Sequence, residues 1–165
     1  MENQTNAKTS IEDKANNWDK ILDEYETSLG LPSTQPSHEE VKTYLSYTRQ
    51  QLEALSPTDC AEVAYVLSQY ILFLQREYNK HLARISWANS NIKNIIADKL
   101  KQYKGSYSQQ ESQAIKENDA ARKLSELVLR AQGRADRLQF IANSVKNIRD
   151  DVKNLQYVKA GAKNE

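Results

Sequence analysis

From Pro57 to Lys104 the chain carries no glycine and, after Pro57 itself, no proline. The two residues that most readily end a helix are therefore missing from a very long stretch. Within it Leu67, Ile71, Leu74, Tyr78, His81, Ile85, Ala88, Ile92 and Ile95 recur in steps of four and three. That spacing holds one stripe toward a partner helix. A helix of this length extends roughly 70 Å at 1.5 Å per residue, and it cannot bury its own stripe. It needs an antiparallel mate or a second subunit.

The same chain offers the mate. Leu124, Ala131, Leu138, Val145 and Val152 recur every seven residues, with Leu127, Ile141, Ile148 and Leu155 on the companion line and Arg134 as its exception. Gly133 inside this run costs about 1 kcal/mol relative to alanine, and either admits a close backbone or is simply tolerated. The segment KGSYS, residues 104–108, reads as the connection, and Ser108 with Glu111 has the form of a capping box. The expected fold is all-α: two long helices in an antiparallel coiled hairpin, shorter N-terminal helices, and assembly into an oligomer. Only four glycines and three prolines in 165 residues agree with this class.

Ahead of the long run, Ile11, Trp18, Ile21, Leu22, Tyr25 and Leu29 mark a short amphipathic helix from about Ile11 to Ser28, stopped by Gly30. Residues 31–36, LPSTQP, read as a linker. Ser37 with Glu40 forms a second capping-box signature, leading a helix with Val41, Leu45, Thr48 and Leu52 on one face up to about Leu55. Ser56, Pro57 and Asp59 start the long helix.

Charge divides the chain at the same place. Residues 1–62 hold five Lys or Arg against twelve Asp or Glu, whereas residues 63–165 hold eighteen against ten. The expected organisation is an acidic N-terminal helical segment, 1–62, followed by a basic helical hairpin, 63–165, that carries oligomerisation and would attract a polyanion. The acidic part can lie across the basic part in the same molecule or a neighbour. The single cysteine, Cys60, excludes an internal disulfide and points to a reducing, intracellular compartment. No apolar signal core or membrane span is legible.

Nothing in the sequence groups residues for chemistry. There is no glycine-rich phosphate loop and no metal-ligand run, and His38 and His81 are the only imidazoles. His81 reads either as a polar residue that fixes register or as a contact to phosphate or carboxylate. The chain is expected to be no enzyme, with no cofactor and no metal.

Between Arg76 and Lys104 the cations Arg76, Lys80, Arg84, Lys93, Lys99, Lys101 and Lys104 face only Glu77 and Asp98. Arg76, Lys80 and Arg84 share a helix face, while the later lysines gather at the helix end beside Tyr103 and Tyr107. A solvated face that complements the helix dipole is one reading. Phosphate contact with a tyrosine stacked on a base is the other, and it favours a single strand over duplex.

The run YNKHLARISWANSNIKNIIADKLKQYKG resembles the corresponding helix of the UvsY-type recombination mediators of tailed phages. NDAARKLSELVLRAQGRADRLQFIANSVKNIRDDVKNLQYVKAG resembles their second long helix. The likeness covers about residues 65–161. It implies a homo-oligomer in the host cytoplasm that binds single-stranded DNA, helps load a RecA-like recombinase and displaces single-strand-binding protein. It would place DNA contacts at Lys99, Lys101 and Lys104, with Lys93 and Tyr103 beside them; Arg84 is a further DNA-binding candidate, read from the basic helix face and not from the likeness. The family's arginines are lysines here, which implies weaker or more salt-sensitive binding. A phage structural or scaffolding protein without nucleic-acid binding is the alternative.

Overall fold

The computed structural model describes residues 10–30 and 37–161, so the linker expected at 31–36 lies outside the described residues. Among the described residues six α-helices are formed: α1 (Ile11–Ser28), α2 (His38–Leu45), α3 (Arg49–Ala54), α4 (Pro57–Ile96), α5 (Tyr107–Lys116) and α6 (Asp119–Gly161), with a 3-10 turn at Leu100–Gln102. None of the described helices is long and apolar enough to cross a membrane.

Local signals explain most of the boundaries. Ser10 and Asp13 close a capping box on α1, and Gly30 takes a φ of +69° just past its end. Asp59 receives the Ser56 N–H at 3.1 Å and donates its own N–H to Ser56 Oγ at 3.1 Å, fixing the start of α4. Hydrogen bonds to the carboxylate from the Ser56 hydroxyl and then from the Ser56 N–H hold the Asp59 carboxyl below its ordinary value. Ser37, in contrast, makes no side-chain cap on α2. The single helix expected from there to Leu55 is broken at residues 46–48, because Thr48 leaves the helix face and caps α3 through Gln51. Thr-x-x-Gln is the same signature with a glutamine in place of glutamate.

The long helix stops at Ile96, short of Lys104. No glycine or proline is responsible. Leu100 and Tyr103 turn in against the core around Ala88, Ile92 and Ile96, and burial there outweighs one or two more turns of helix. The return is not a tight connection either. Ser106, not Ser108, starts α5, its N–H donating to Gln109 Oε1 at 3.0 Å. Asn118 then opens α6 by accepting the Ala121 N–H at 3.0 Å.

The all-α class therefore holds, while the antiparallel two-helix coiled hairpin does not. Among the described residues six helices form two compact units, and α4 and α6 supply most of the buried residues in each. One unit joins α1 to residues 80–134, and the other joins α2, α3 and α4 up to residue 79 to α6 from residue 135. In the first, Ala88, Ile92 and Ile96 of α4 meet Ala114 of α5 and Ala121 and Leu124 of α6. In the second, Cys60, Val63, Ala64, Leu67 and Leu74 meet Ala142, Val145 and Val152, with Tyr44, Tyr47, Leu52 and Leu55 packed alongside.

A two-helix seam would bury one narrow stripe. Instead Val63, Ala64, Val66 and Leu67 are all buried, so α4 has neighbours on more than one side. The heptad positions Leu124, Ala131, Val145 and Val152 are buried as their period requires, and Ala88, Ala131, Ala135 and Ala142 are small buried residues that permit close approach. Cys60 is wholly buried as a core residue. Gly133 faces open space: a Cβ added there would meet nothing within 4 Å, so no close backbone approach explains it.

Candidate nucleic-acid interface

The turn after α4 sorts its side chains by a period near three. Leu100 and Tyr103 point to the core, and Lys101 and Lys104 are exposed. Lys99 N–H donates to Ile96 O at 2.9 Å, and Gln102 N–H to Lys99 O at 3.0 Å, which winds the segment tightly. Gly105 follows with a φ of +116°, where a Cβ would strike Gln109 Oε1 at 2.5 Å. Only glycine fits that bend. Lys93 is exposed in the last turn of α4, and Lys116 is exposed in the last turn of α5.

Two contacts lock the turn to α5. Tyr103 donates its hydroxyl to Glu117 Oε2 at 2.6 Å, and that carboxylate, aided by burial, raises the phenol above its ordinary value. Gln110 Nε2 donates to the carbonyls of Tyr103 at 3.0 Å and Gly105 at 3.1 Å. A shallow polar groove of about 790 Å³ lies beside them, lined by Lys104, Ser108, Gln109, Ser112, Gln113 and Lys116 and by the Glu117 carboxylate that Tyr103 engages. Hydroxyls, amides and ammonium groups of this kind suit phosphate and sugar more than an apolar ligand.

Among the described residues, no carboxylate lies within ion-pair distance of Lys93, Lys99, Lys101, Lys104 or Lys116. Lys116 was not singled out by the sequence, because the connection was expected to pass straight into the second long helix. The tyrosines also exchange emphasis. Tyr103 is half-buried and engaged with Glu117, whereas Tyr107 is 60% exposed and presents its ring at the start of α5.

Arg84 is not part of this cluster. It sits on α4 against α1, where its Nε donates to Asp19 Oδ1 at 2.9 Å and to Oδ2 at 2.7 Å, and its Nη2 also pairs with Oδ2. One turn earlier, Lys80 pairs with Asp23 at 2.8 Å. A cleft of about 720 Å³ opens next to the Arg84 contact, with Ile11, Ala15, Leu127 and Ala131 as apolar lining; its charged lining is mixed, with Lys123, Arg130 and Arg134 beside Glu12, Asp119 and Glu126, and His81 also faces it.

The cations of α6 meet different fates. Arg122 pairs with Asp119 at 2.7 Å and Arg149 with Asp150 at 2.7 Å. Lys159 donates to the carbonyls of Leu52, Glu53 and Leu55 at 3.2, 2.8 and 2.6 Å, satisfying the end of α3. Among the described residues no three or more His, Cys, Asp or Glu side chains come together to hold a metal ion.

Comparison with known proteins adds no relative: no family model, no curated protein and no solved structure matches this chain, and none supports the likeness to UvsY-type mediators.

Proposed function

We propose that the chain is a non-enzymatic single-stranded DNA-binding protein whose contact surface is the lysine turn between α4 and α5, and that it acts as a recombination mediator. The observation that carries the reading is the set of five lysines, Lys93, Lys99, Lys101, Lys104 and Lys116, that lack carboxylate partners among the described residues. Unpaired ammonium groups attract phosphates and release their counterions on contact. The exposed ring of Tyr107 adds a platform on which a base can stack.

One protomer offers few contacts, so useful affinity requires several copies on one strand. Loading a RecA-like recombinase in competition with single-strand-binding protein is the finer part of the proposal and rests on the sequence likeness. A phage structural or scaffolding role is the second reading. The exposed Leu129, Phe140, Tyr157 and Val158 favour it, because each is about 70% exposed on α6 and suits contacts between subunits.

Fluorescence anisotropy of a labelled oligothymidylate over a salt series separates the two. Replacing Lys99, Lys101 and Lys104 by alanine is expected to flatten the slope of log K against log salt by about 2, at roughly 0.7 per lost phosphate contact. A parent protein that does not bind the strand removes the DNA reading, and an unchanged slope removes the lysine turn from the interface. The mediator step is read from the DNA-dependent ATPase of a RecA-like recombinase on strands covered by single-strand-binding protein. Addition of the chain should shorten its lag.

A further inference from the structure

Helix α1 meets its unit through a thin apolar contact and two ion pairs. Ala15 is its one buried residue; Ile11, Trp18 and Leu22 are half-buried, and Ile21, Tyr25 and Leu29 stand 48%, 61% and 57% exposed. The indole nitrogen of Trp18 is buried without an acceptor among the described residues, a desolvation cost that the docked helix carries. Against this thin contact stand two ion pairs, Asp19 with Arg84 and Asp23 with Lys80. The partners are four residues apart on both helices and therefore lie one turn apart on each.

The pairing is chemically particular. Arg84 turns its fork onto both oxygens of one carboxylate, the arrangement a guanidinium also makes with two oxygens of a phosphate. Asp19 and Asp23 thus occupy positions that successive anionic groups of a strand can fill. Lys123 and Arg134, which line the cleft beside Arg84, have no carboxylate within ion-pair distance among the described residues.

We propose that Lys80 and Arg84 form a latent phosphate site, closed in cis by Asp19 and Asp23 of α1, and that single-stranded DNA opens it by displacing that helix. This rests on the DNA-binding reading above and adds a second, gated contact to it. The strand's phosphates replace the two carboxylates, Trp18 regains water for its N–H, and Lys123 and Arg134 become the next cations available along the opened cleft. Each released carboxylate recovers a counterion, so part of the electrostatic gain cancels in the native protein.

The test uses the full chain. Asp19→Asn with Asp23→Asn removes the cover's charge, and it is expected to tighten oligothymidylate binding at low salt roughly tenfold and steepen the salt slope by about 1.4, at 0.7 per contact. Adding Lys80→Ala and Arg84→Ala to that variant should return both values toward the native ones. A second readout does not depend on those variants folding well. With Trp87→Phe, Trp18 is the only indole left of the chain's two, and saturating DNA should shift its emission to the red as the ring reaches water. A native protein that binds DNA with an asparagine variant of unchanged slope, or with a Trp18 emission that stays fixed at saturation, overturns the gate and leaves the lysine turn standing. Absence of binding by both proteins overturns the DNA reading and the gate together.

Discussion

Arg84 and Lys104 belong to one basic run, separated by a stretch with a single acidic residue, yet the fold treats them oppositely. Arg84 meets an aspartate from α1, 65 residues away in sequence, and its side chain keeps 24% of its exposure. Lys104 lies on a turn whose inward positions are taken by Leu100 and Tyr103, and it points to solvent without a partner among the described residues. Charge density along a sequence therefore says little about which cations are available. Availability is decided by what the rest of the chain lays over them, and here the acidic N-terminal helix covers the first part of the run alone.

The sharpest way to break this comparison is to delete each cation in turn. Arg84→Ala leaves Asp19, whose side chain is only 13% exposed, without its fork of donors. The expected cost is about 2 kcal/mol, below the 3–5 kcal/mol of a fully buried pair because water still reaches the site. Lys104→Ala should stay within about 0.5 kcal/mol of the native protein. Urea unfolding measures both. Equal costs would mean that the two cations are not in different circumstances after all.

Lys159 sharpens the contrast with a third kind of cation. Among the described residues it pairs with no carboxylate, and its ammonium group serves three backbone carbonyls at the end of α3. Lys159→Met keeps much of the stem and removes the donors, and about 1–2 kcal/mol should be lost in the same unfolding experiment. Lys153, exposed on the same helix, is the control, and a loss of similar size there would reject the capping role.

How much of this was legible beforehand follows from the range of each signal. The bounds of α1, the start of α4 and the buried heptad line of α6 depend on residues within a few turns of one another, and the sequence displays them. The end of α4 does not. It is set by Leu100 and Tyr103 finding a core whose other members come from α5 and α6, and no residue near Ile96 announces that. The hairpin failed for the same reason: periodicity reports that a stripe is buried without saying how many helices bury it. Lys99, Lys101 and Lys104 were legible as a cluster because they are neighbours in the chain. Tyr103 and Tyr107 were legible beside them for the same reason, whereas Lys116 joined them only once α5 was seen to turn back beside them, and the engagement of Arg84 by Asp19 could be raised as charge complementarity but not located.

Gly133 tests what an uncovered face means. Nothing lies within 4 Å of a Cβ placed there, so alanine would gain helix propensity without a clash. Gly133→Ala is expected to add about 1 kcal/mol of stability. Loss of stability, or a change in oligomer mass by light scattering, would mean that a second copy approaches this face closely. The face of α6 would then resemble the covered side of the comparison rather than the open one.

The smallest expected effect probes what keeps the open lysines together. The Tyr103 phenol is raised by its bond to the Glu117 carboxylate, so the protonated phenol is the form the fold favours. A group with a raised value in the folded state contributes stability that is fully present below its ordinary pKa, near 10, and is lost as pH climbs through the raised one. Tyr103→Phe removes the hydroxyl, so the small contribution of this solvent-reached bond should be lost near neutral pH and the alkaline decline flattened by the same amount. The lysine turn would also gain freedom, since Tyr103 and Gln110 are its two ties to α5. Amide exchange over residues 99–105 should therefore quicken in the variant, with the exchange of α4 around Arg84 unaffected. If both regions quicken together, the turn and the covered face share one local unfolding event, and the distinction between them is one of exposure alone.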